Sequence, residues 1–443
     1  MSKSSFNNRY ILGISFISAL GGYLFGFDFA VISGALPFLK VQFGLNAYWE
    51  GFATGSLALG AIIGCLIAGG FSDRYGRRPG LLLAAAIFGL SSVAMAFAPD
   101  RDVFIGARFI AGIGVGMASM LSPMYIAEIS PAHLRGRMVA INQLTVVLGI
   151  LITNLVNYNL RNNGHDAWRW MFGYGLIPSA LFFAGAWWLP ESPRWLMKVS
   201  RAEPARVILE KIGGIDFARE SLVHIKKAIG TNARAGYRDV FKKAVLPAVL
   251  IGIGLAVFQQ FCGINVVFNY TARIYKSVGF SQDDQLLQTV FIGAVNLLCT
   301  ILAMLLVDKL GRKPLMLVGA GGLALLYLIV VRLLGAGSAE VAWYLLAAIG
   351  LYALSLAPVT WVLISEIFPT GVRGLATSIA VLSLWGAYFI LVFTFPLLFD
   401  RFKDATFYIY SGVCAVGFIF VWFAVRETKG KTLEELEGVM AGH

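Results

Sequence analysis

The chain contains twelve apolar stretches of about 20 residues, and this repetition constrains its fold more than any other feature. They lie near Tyr10–Leu39, Phe52–Phe71, Gly80–Ala98, Val103–Ile126, Met138–Leu160, Trp170–Leu189, Ala244–Tyr270, Leu286–Val307, Leu315–Val331, Val341–Ser365, Leu375–Leu398 and Thr406–Val425. Such stretches are too long and too evenly apolar for barrel strands. A helix satisfies its own backbone groups in lipid, so each stretch is expected to be a transmembrane helix. Composition closes off the alternatives: hydrophobic residues make up 58% of the 443 and charged residues 14%, against about 45–50% and about 25% in soluble domains. Neither a soluble enzyme nor a disordered chain fits those proportions. The first run, from Tyr10, is too long for a cleaved signal segment. Cys65, Cys262, Cys299 and Cys414 each sit in an apolar stretch and read as small hydrophobes, not as a disulfide framework or a zinc site.

The net charge of +12 is explained by the loops, which leaves no basic face for a nucleic acid. Of the 36 Lys and Arg residues, 26 fall on the side that holds both termini and a long central segment, and 9 fall on the other. The remaining one, Arg108, is inside a span. Positive residues gather on the cytoplasmic side of a membrane protein, so both termini are expected there. The central segment, about Glu191–Lys243, has 12 basic and 6 acidic residues. Its pattern over Ala205–Ile212 favours short amphipathic helices over a solvated linker.

The chain also repeats itself. Asp73-x-x-Gly76-Arg77-Arg78-Pro79 recurs as Asp308-x-x-Gly311-Arg312-Lys313-Pro314, and Glu128-Ile-x-Pro131-x-x-x-Arg135-Gly136 recurs as Glu366-Ile-x-Pro369-x-x-x-Arg373-Gly374. Glu191, after span six, has its counterpart in Glu427, after span twelve. All three recur at offsets of 235–238 residues, which predicts two pseudo-symmetric six-helix bundles, residues 1–190 and 244–443, joined by a linker over 191–243. The repeated charges form a candidate cytoplasmic gate: Asp73, Arg77, Arg78, Glu128, Arg135, Glu191 and Arg194, with Asp308, Arg312, Glu366, Arg373 and Glu427. Pairs of Arg77 and Arg78 with Glu128, and of Arg312 with Glu366, would tie helix ends together. Exposed ion pairs are weak, about 0–1 kcal/mol, and can therefore break. The same residues could instead only set topology and cap helices.

Two charges lie deep within spans, Asp28 and Arg108. An ion at the bilayer centre costs about 2.5–3.5 kcal/mol on lenient scales, so it is normally paired. Asp28 lies in a Gly-rich part of span one, with Gly21, Gly22 and Gly26. A static bridge between spans one and four and a proton switch are both consistent with this pair. No His lies within a span, so a histidine relay does not apply.

Four segments together carry a family resemblance: Asp73–Pro79, Pro190-Glu191-Ser192-Pro193-Arg194, Gln259-Gln260-x-x-Gly263-x-Asn265, and Glu427-Thr428-Lys429-Gly430-x-Thr432-Leu433. They resemble the sugar porter family of the major facilitator superfamily over nearly the whole chain. Gly112–Gln143 looks most similar to bacterial xylose/proton symporters. The resemblance implies alternating access, with a sugar and a proton as partners, a monomer in the inner membrane, and no metal or organic cofactor. It also favours the proton switch at Asp28, because proton-coupled members carry an acid there and passive facilitators a neutral residue.

A sugar presents hydroxyls on all sides, so its site calls for neutral donors and acceptors and an aromatic face. Within the spans, Gln143, Gln259, Gln260, Asn265, Asn269 and Trp361 supply such groups. The resemblance places Gln143, Gln259, Gln260, Asn265 and Trp361 at sugar-binding positions, with Phe25 and Trp385 as pocket-side aromatics. A break of span seven near Gly263 would converge its amides. The chain departs from the family at Asn269 (usually Tyr), Leu384 (Gln or Asn) and Tyr388 (Asn), which leaves the particular sugar open, and at Arg426 (Pro), which alters only the exit from span twelve. A passive facilitator and a non-transporting sugar receptor are the alternatives. Gly112-x-Gly114-x-Gly116, Gly51/Gly55 and Gly60/Gly64 read as close helix packing. Trp168, Trp170 and Trp343 read as interfacial anchors.

Overall fold

The computed structural model describes residues 6–131, 133–231, 237–242, 245–368 and 372–429, and every regular element among them is helical. Ten segments are long and apolar enough to cross a bilayer. Two local features bring these to the expected twelve. The last segment, Arg373–Ala424, has 52 residues and consists of two helices, Arg373–Phe402 and Thr406–Ala424, joined by a tight turn at Lys403–Ala405. Span six is broken at Tyr174 and Gly175 into Ala167–Gly173 and Leu176–Trp188, so neither piece is long enough alone.

Spans one to five are the continuous helices Asn8–Phe43, Ala47–Tyr75, Arg77–Ala96, Arg101–Ile129 and Arg135–Leu160. Spans eight and nine are Gln282–Leu310 and Arg312–Gly335. Their ends follow capping chemistry. Asn46, Asp100 and Ser281 each accept a backbone N–H in the first turn of the helix they precede, and Gly44 closes span one in the left-handed conformation, φ 59°. The central segment forms helices Pro193–Lys198, Ala202–Thr231 (interrupted at Gly214) and Tyr237–Val240. It is fastened to the N-terminal end by the Asn7 N–H, which donates to the Ile212 carbonyl at 3.0 Å, and by the Phe6 ring against Phe217.

Two spans break where the sequence carries a reason. Span seven runs as Leu246–Phe261, Ile264–Asn269 and Thr271–Ser277, with Gly263 at φ 85° between the first two. A Cβ at Gly263 would also lie 2.6 Å from the Tyr410 ring, so this position favours glycine on both counts. Span ten runs as Val341–Leu354 and Leu356–Ile367 with its break at Ser355. Pro358 follows three residues later and has no N–H for a continuous helix.

Lipid tails give helices no hydrophobic reason to associate, so contact depends on close packing. The paired glycines provide it. A Cβ on Gly60 would stand 1.9 Å from the Phe109 carbonyl, one on Gly112 2.1 Å from the Leu57 carbonyl, and one on Gly116 2.2 Å from the Ala61 carbonyl. Spans two and four therefore touch backbone to backbone. Gly26 meets the Val146 carbonyl in the same way and draws spans one and five together. Gly51 and Gly55 instead face span eleven, in the other half. Trp170 and Trp343 are exposed, as anchors would be, but Trp168 corrects its reading: the ring is wholly buried against Phe43 and Phe104.

Gly60→Ala is expected to cost about 1–3 kcal/mol, because a backbone carbonyl cannot yield to the new methyl group. Gly106→Ala, which has open space around its Cβ, is expected to be near neutral. Thermal unfolding of the detergent-solubilised protein checks this, and equal melting temperatures would overturn the span two–four contact.

Candidate functional site

Asp28 and Arg108 meet in the interior. The Arg108 Nη1 donates to the Asp28 Oδ1 at 2.8 Å, and both side chains are fully buried. Gly22 and Gly26, six and two residues before Asp28, let span five approach to within backbone contact. Arg108, seven residues into span four, reaches across and lies over the Phe172 ring at 5.9 Å. The pair is only partly bonded: Asp28 Oδ2 and Arg108 Nε and Nη2 have no hydrogen-bond partner among the described residues. A buried ion pair is well compensated only when its remaining lone pairs and protons are bonded too. This one is poised differently from a fully bonded rivet.

The broken span seven carries the next group. Asn265 Nδ2 donates to Gln260 Oε1 across the Gly263 break. Asn269 Nδ2 donates to the Asn265 carbonyl at 2.7 Å and to the Tyr388 phenol at 3.0 Å, and Asn269 Oδ1 is buried without a partner among the described residues. Tyr388 and Trp385, on span eleven, have ring centroids 6.0 Å apart. From span one, Phe25 meets Trp385 edge-on at 5.6 Å, and Phe29 meets Tyr388 at 4.9 Å. An amide and aromatic chain thus runs from Gln260 to Phe25 and Phe29, joining the halves beside Asp28. Phe29 is a residue the sequence analysis did not single out. Its signal was its place one turn from Phe25 and next to Asp28.

The other candidates stand apart from that chain. Gln259 Nε2 points to span ten, donating to the Ala357 carbonyl at 3.2 Å just past the Ser355 break. Gln143 is half-buried on span five, and Trp361 is 41% exposed on the second piece of span ten. Leu384, where an amide is usual in the family, is buried.

At the termini face the repeat extends to individual hydrogen bonds. Arg77 holds Glu128 through Nε and Nη2, each at 3.0 Å, and Arg312 Nη2 holds Glu366 at 3.2 Å. Glu191 accepts the backbone N–H groups of Arg77 (2.9 Å) and Arg78 (3.2 Å), capping span three, and Glu427 accepts those of Arg312 and Lys313, both at 3.0 Å, capping span nine. Gly76 and Gly311 make room, since a Cβ there would lie 2.2 Å and 2.8 Å from the two carboxylates. Arg135 Nε donates to the Ala127 carbonyl and Arg373 Nε to the Phe368 carbonyl, each tying a span to the end of the one before. Asp73 pairs with Arg77 and Lys198. Arg78 differs from its reading: its side chain donates to the Trp187 carbonyl rather than to Glu128. Arg194 is exposed, and the Asp308 side chain, Pro369 and Gly430–Leu433 lie outside the described residues. These ion pairs, Arg77–Glu128 and Arg312–Glu366, each stay inside one half.

Residues 14–440 match the family described as "Sugar (and other) transporter". The chain is 39% identical to the D-xylose-proton symporter of Escherichia coli over 99% of its own length and 97% of that protein's. It is 37% identical to the arabinose-proton symporter of Bacillus subtilis, over 97% and 94%. Among solved structures it is similar to the proton:xylose symporter XylE bound to 6-bromo-6-deoxy-D-glucose, with a TM-score of 0.84 at 39% identity, covering 98% of this chain and 100% of that one. The inward open conformation of XylE from E. coli gives a TM-score of 0.86 at 38% identity, covering 97% and 100%.

The two capping carboxylates differ in environment. Burial holds Glu191 above the ordinary glutamate value, against the pull of the backbone N–H groups it accepts. Burial acts on Glu427 in the same direction, but the N–H groups of Arg312, Lys429, Lys313 and Thr428 outweigh it and hold that carboxyl below the ordinary value. Glu427 therefore contributes stability above the ordinary glutamate range that is lost as pH falls through its lowered folded value. The charged form of Glu191 is disfavoured by folding, so its contribution is lost as pH rises through its raised folded value. Glu427→Gln is expected to lower the melting temperature at pH 7 more than Glu191→Gln does, with the gap narrowing on acidification below the glutamate range. Thermal melts of both variants across pH check the order, and a larger loss for Glu191→Gln at pH 7 would reverse it.

Proposed function

This chain belongs to the sugar transporter family, a sugar porter of the major facilitator superfamily and a membrane transporter, not an enzyme, and on that footing we propose that it is a proton-coupled monosaccharide symporter. The relatives named for D-xylose and arabinose support a pentose or similar sugar as cargo. The observation that carries proton coupling is the Asp28–Arg108 pair, wholly buried and incompletely bonded. Ionised Asp28 holds Arg108 and so holds span one to span four. Protonation cancels the attraction, and the unbonded atoms of the pair are free to take new partners as span one shifts. Phe25 and Phe29 flank Asp28 in sequence and contact Trp385 and Tyr388, so a shift of span one is felt at the amide chain where the sugar would bind.

In this reading Phe25, Gln143, Gln259, Gln260, Asn265, Asn269, Trp361, Trp385 and Tyr388 serve the sugar. Residues 1–190 and 244–443 rock as two bodies, with 191–243 between them and both termini in the cytoplasm, an orientation that the 26 to 9 split of basic residues supports. The charge clusters around Arg77 and Arg312 brace each half at the cytoplasmic mouth. The protein works as a monomer in the inner membrane.

Asp28→Asn is expected to abolish uphill sugar accumulation while leaving sugar exchange across the membrane. Uptake driven by an imposed pH gradient in proteoliposomes, measured beside counterflow, checks this. Full accumulation by the variant would make Asp28 structural and leave a passive facilitator.

A further inference from the structure

The halves are also joined by ion pairs at the end opposite the termini, in a place no repeated motif marks. Arg273 closes span seven and donates to two carboxylates, Glu50 at the start of span two and Asp400 at the end of span eleven. Arg161, ending span five, holds Asp283 of span eight at 2.9 Å. The Glu50 carboxylate is 2% exposed and also accepts from Lys40 Nζ at 3.1 Å. Beneath it the backbones of the two halves touch, since a Cβ on Gly51 would lie 2.3 Å from the Phe393 carbonyl. This mouth cannot open unless Arg273 and Glu50 part.

The partners are arranged so that parting strands neither charge. Glu50 keeps Lys40, which is in its own half, and Arg273 keeps Asp400, which is in its own half. An uncompensated buried charge is what makes the breaking of an ion pair costly, and here each side has a substitute already in contact. Arg273 also lies one turn beyond Asn269 and two beyond Asn265, on the broken span that carries the candidate sugar amides. Between them the Tyr270 phenol donates to the Val392 carbonyl at 2.6 Å, coupling this segment to span eleven.

We propose that Arg273 is a positioning residue of the transport cycle: its bond to Glu50 locks the mouth opposite the termini, and retreat to Asp400 alone releases it in step with the Asn265–Asn269 segment. The proposal rests on alternating access of the two halves, but not on the sugar's identity or on proton coupling. It makes the carboxylates opposite in effect. Glu50→Gln weakens the lock and is expected to raise the fraction open at that end about fivefold, while Asp400→Asn, which removes the retreat, lowers it by a similar factor. Lys40→Met removes the other retreat and is expected to act like Asp400→Asn. Lys40 is nearly half exposed, so this variant tests the idea even if an aspartate variant folds poorly.

The readout is electron–electron distance measurement on spin labels, in a chain whose four cysteines are replaced by alanine. One pair, Asn163→Cys with Ala339→Cys, reports the end opposite the termini, and Tyr75→Cys with Leu310→Cys reports the termini end. All four positions are exposed. Opposite shifts for Glu50→Gln and Asp400→Asn support the lock, whereas shifts in the same direction, or distributions equal to the parent's, overturn it. The two label pairs should change in opposite senses in every variant. Were both ends to widen together, alternating access itself would fail, not the lock alone.

Discussion

Hydrocarbon offers no partner to a polar group, and nearly every feature of this molecule is an answer to that constraint. Backbone groups are satisfied within helices. Where a helix breaks, a side chain or a cap is at hand: Gln259 reaches the carbonyls beside the span-ten break, and the Asn265 amide bridges the first two pieces of span seven. The same constraint gives Asp28 and Arg108 their meaning. Each would be prohibitive alone, and they are tolerable together at 2.8 Å.

Four of the buried polar atoms without a partner among the described residues belong to Asp28, Arg108 and Asn269. They are Asp28 Oδ2, Nε and Nη2 of Arg108 and Asn269 Oδ1, and the aromatic contacts of Phe25 and Phe29 with Trp385 and Tyr388 join the halves beside them. A protein that had only to be stable would bond such atoms or replace them with apolar groups. Retained here, they are the groups to which the proposed proton and sugar roles are assigned. The well-bonded carboxylates, Glu191 and Glu427, sit at helix ends within each half, where nothing has to part.

Much of this was legible in the residues. Twelve apolar stretches, the Lys and Arg asymmetry and the motif repeat are local properties that hydropathy and spacing report directly. The repeat even anticipated paired detail, since Glu191 and Glu427 cap corresponding helices. Asp28 and Arg108 were found because an intramembrane charge is conspicuous wherever it stands. Trp168 was misread because an indole near a span end looks the same whether it faces lipid or a neighbouring helix. Arg78 was assigned to Glu128 because adjacent arginines look equivalent in a motif, yet successive positions on a helix point about 100° apart.

What the sequence alone determined is therefore what depends on one residue and its chain neighbours: which segments enter the membrane, which side is basic, and which residues are too polar to be there without a reason. Tertiary structure decided which groups meet. Tyr388 with Asn269 and Arg273 with Glu50 are separated by 119 and 223 residues, and the second has no counterpart in the repeat, so neither periodicity nor motif could disclose it. Such pairings arise from how helix faces rotate toward one another once glycines let the backbones touch, and that rotation is a property of the assembled bundle.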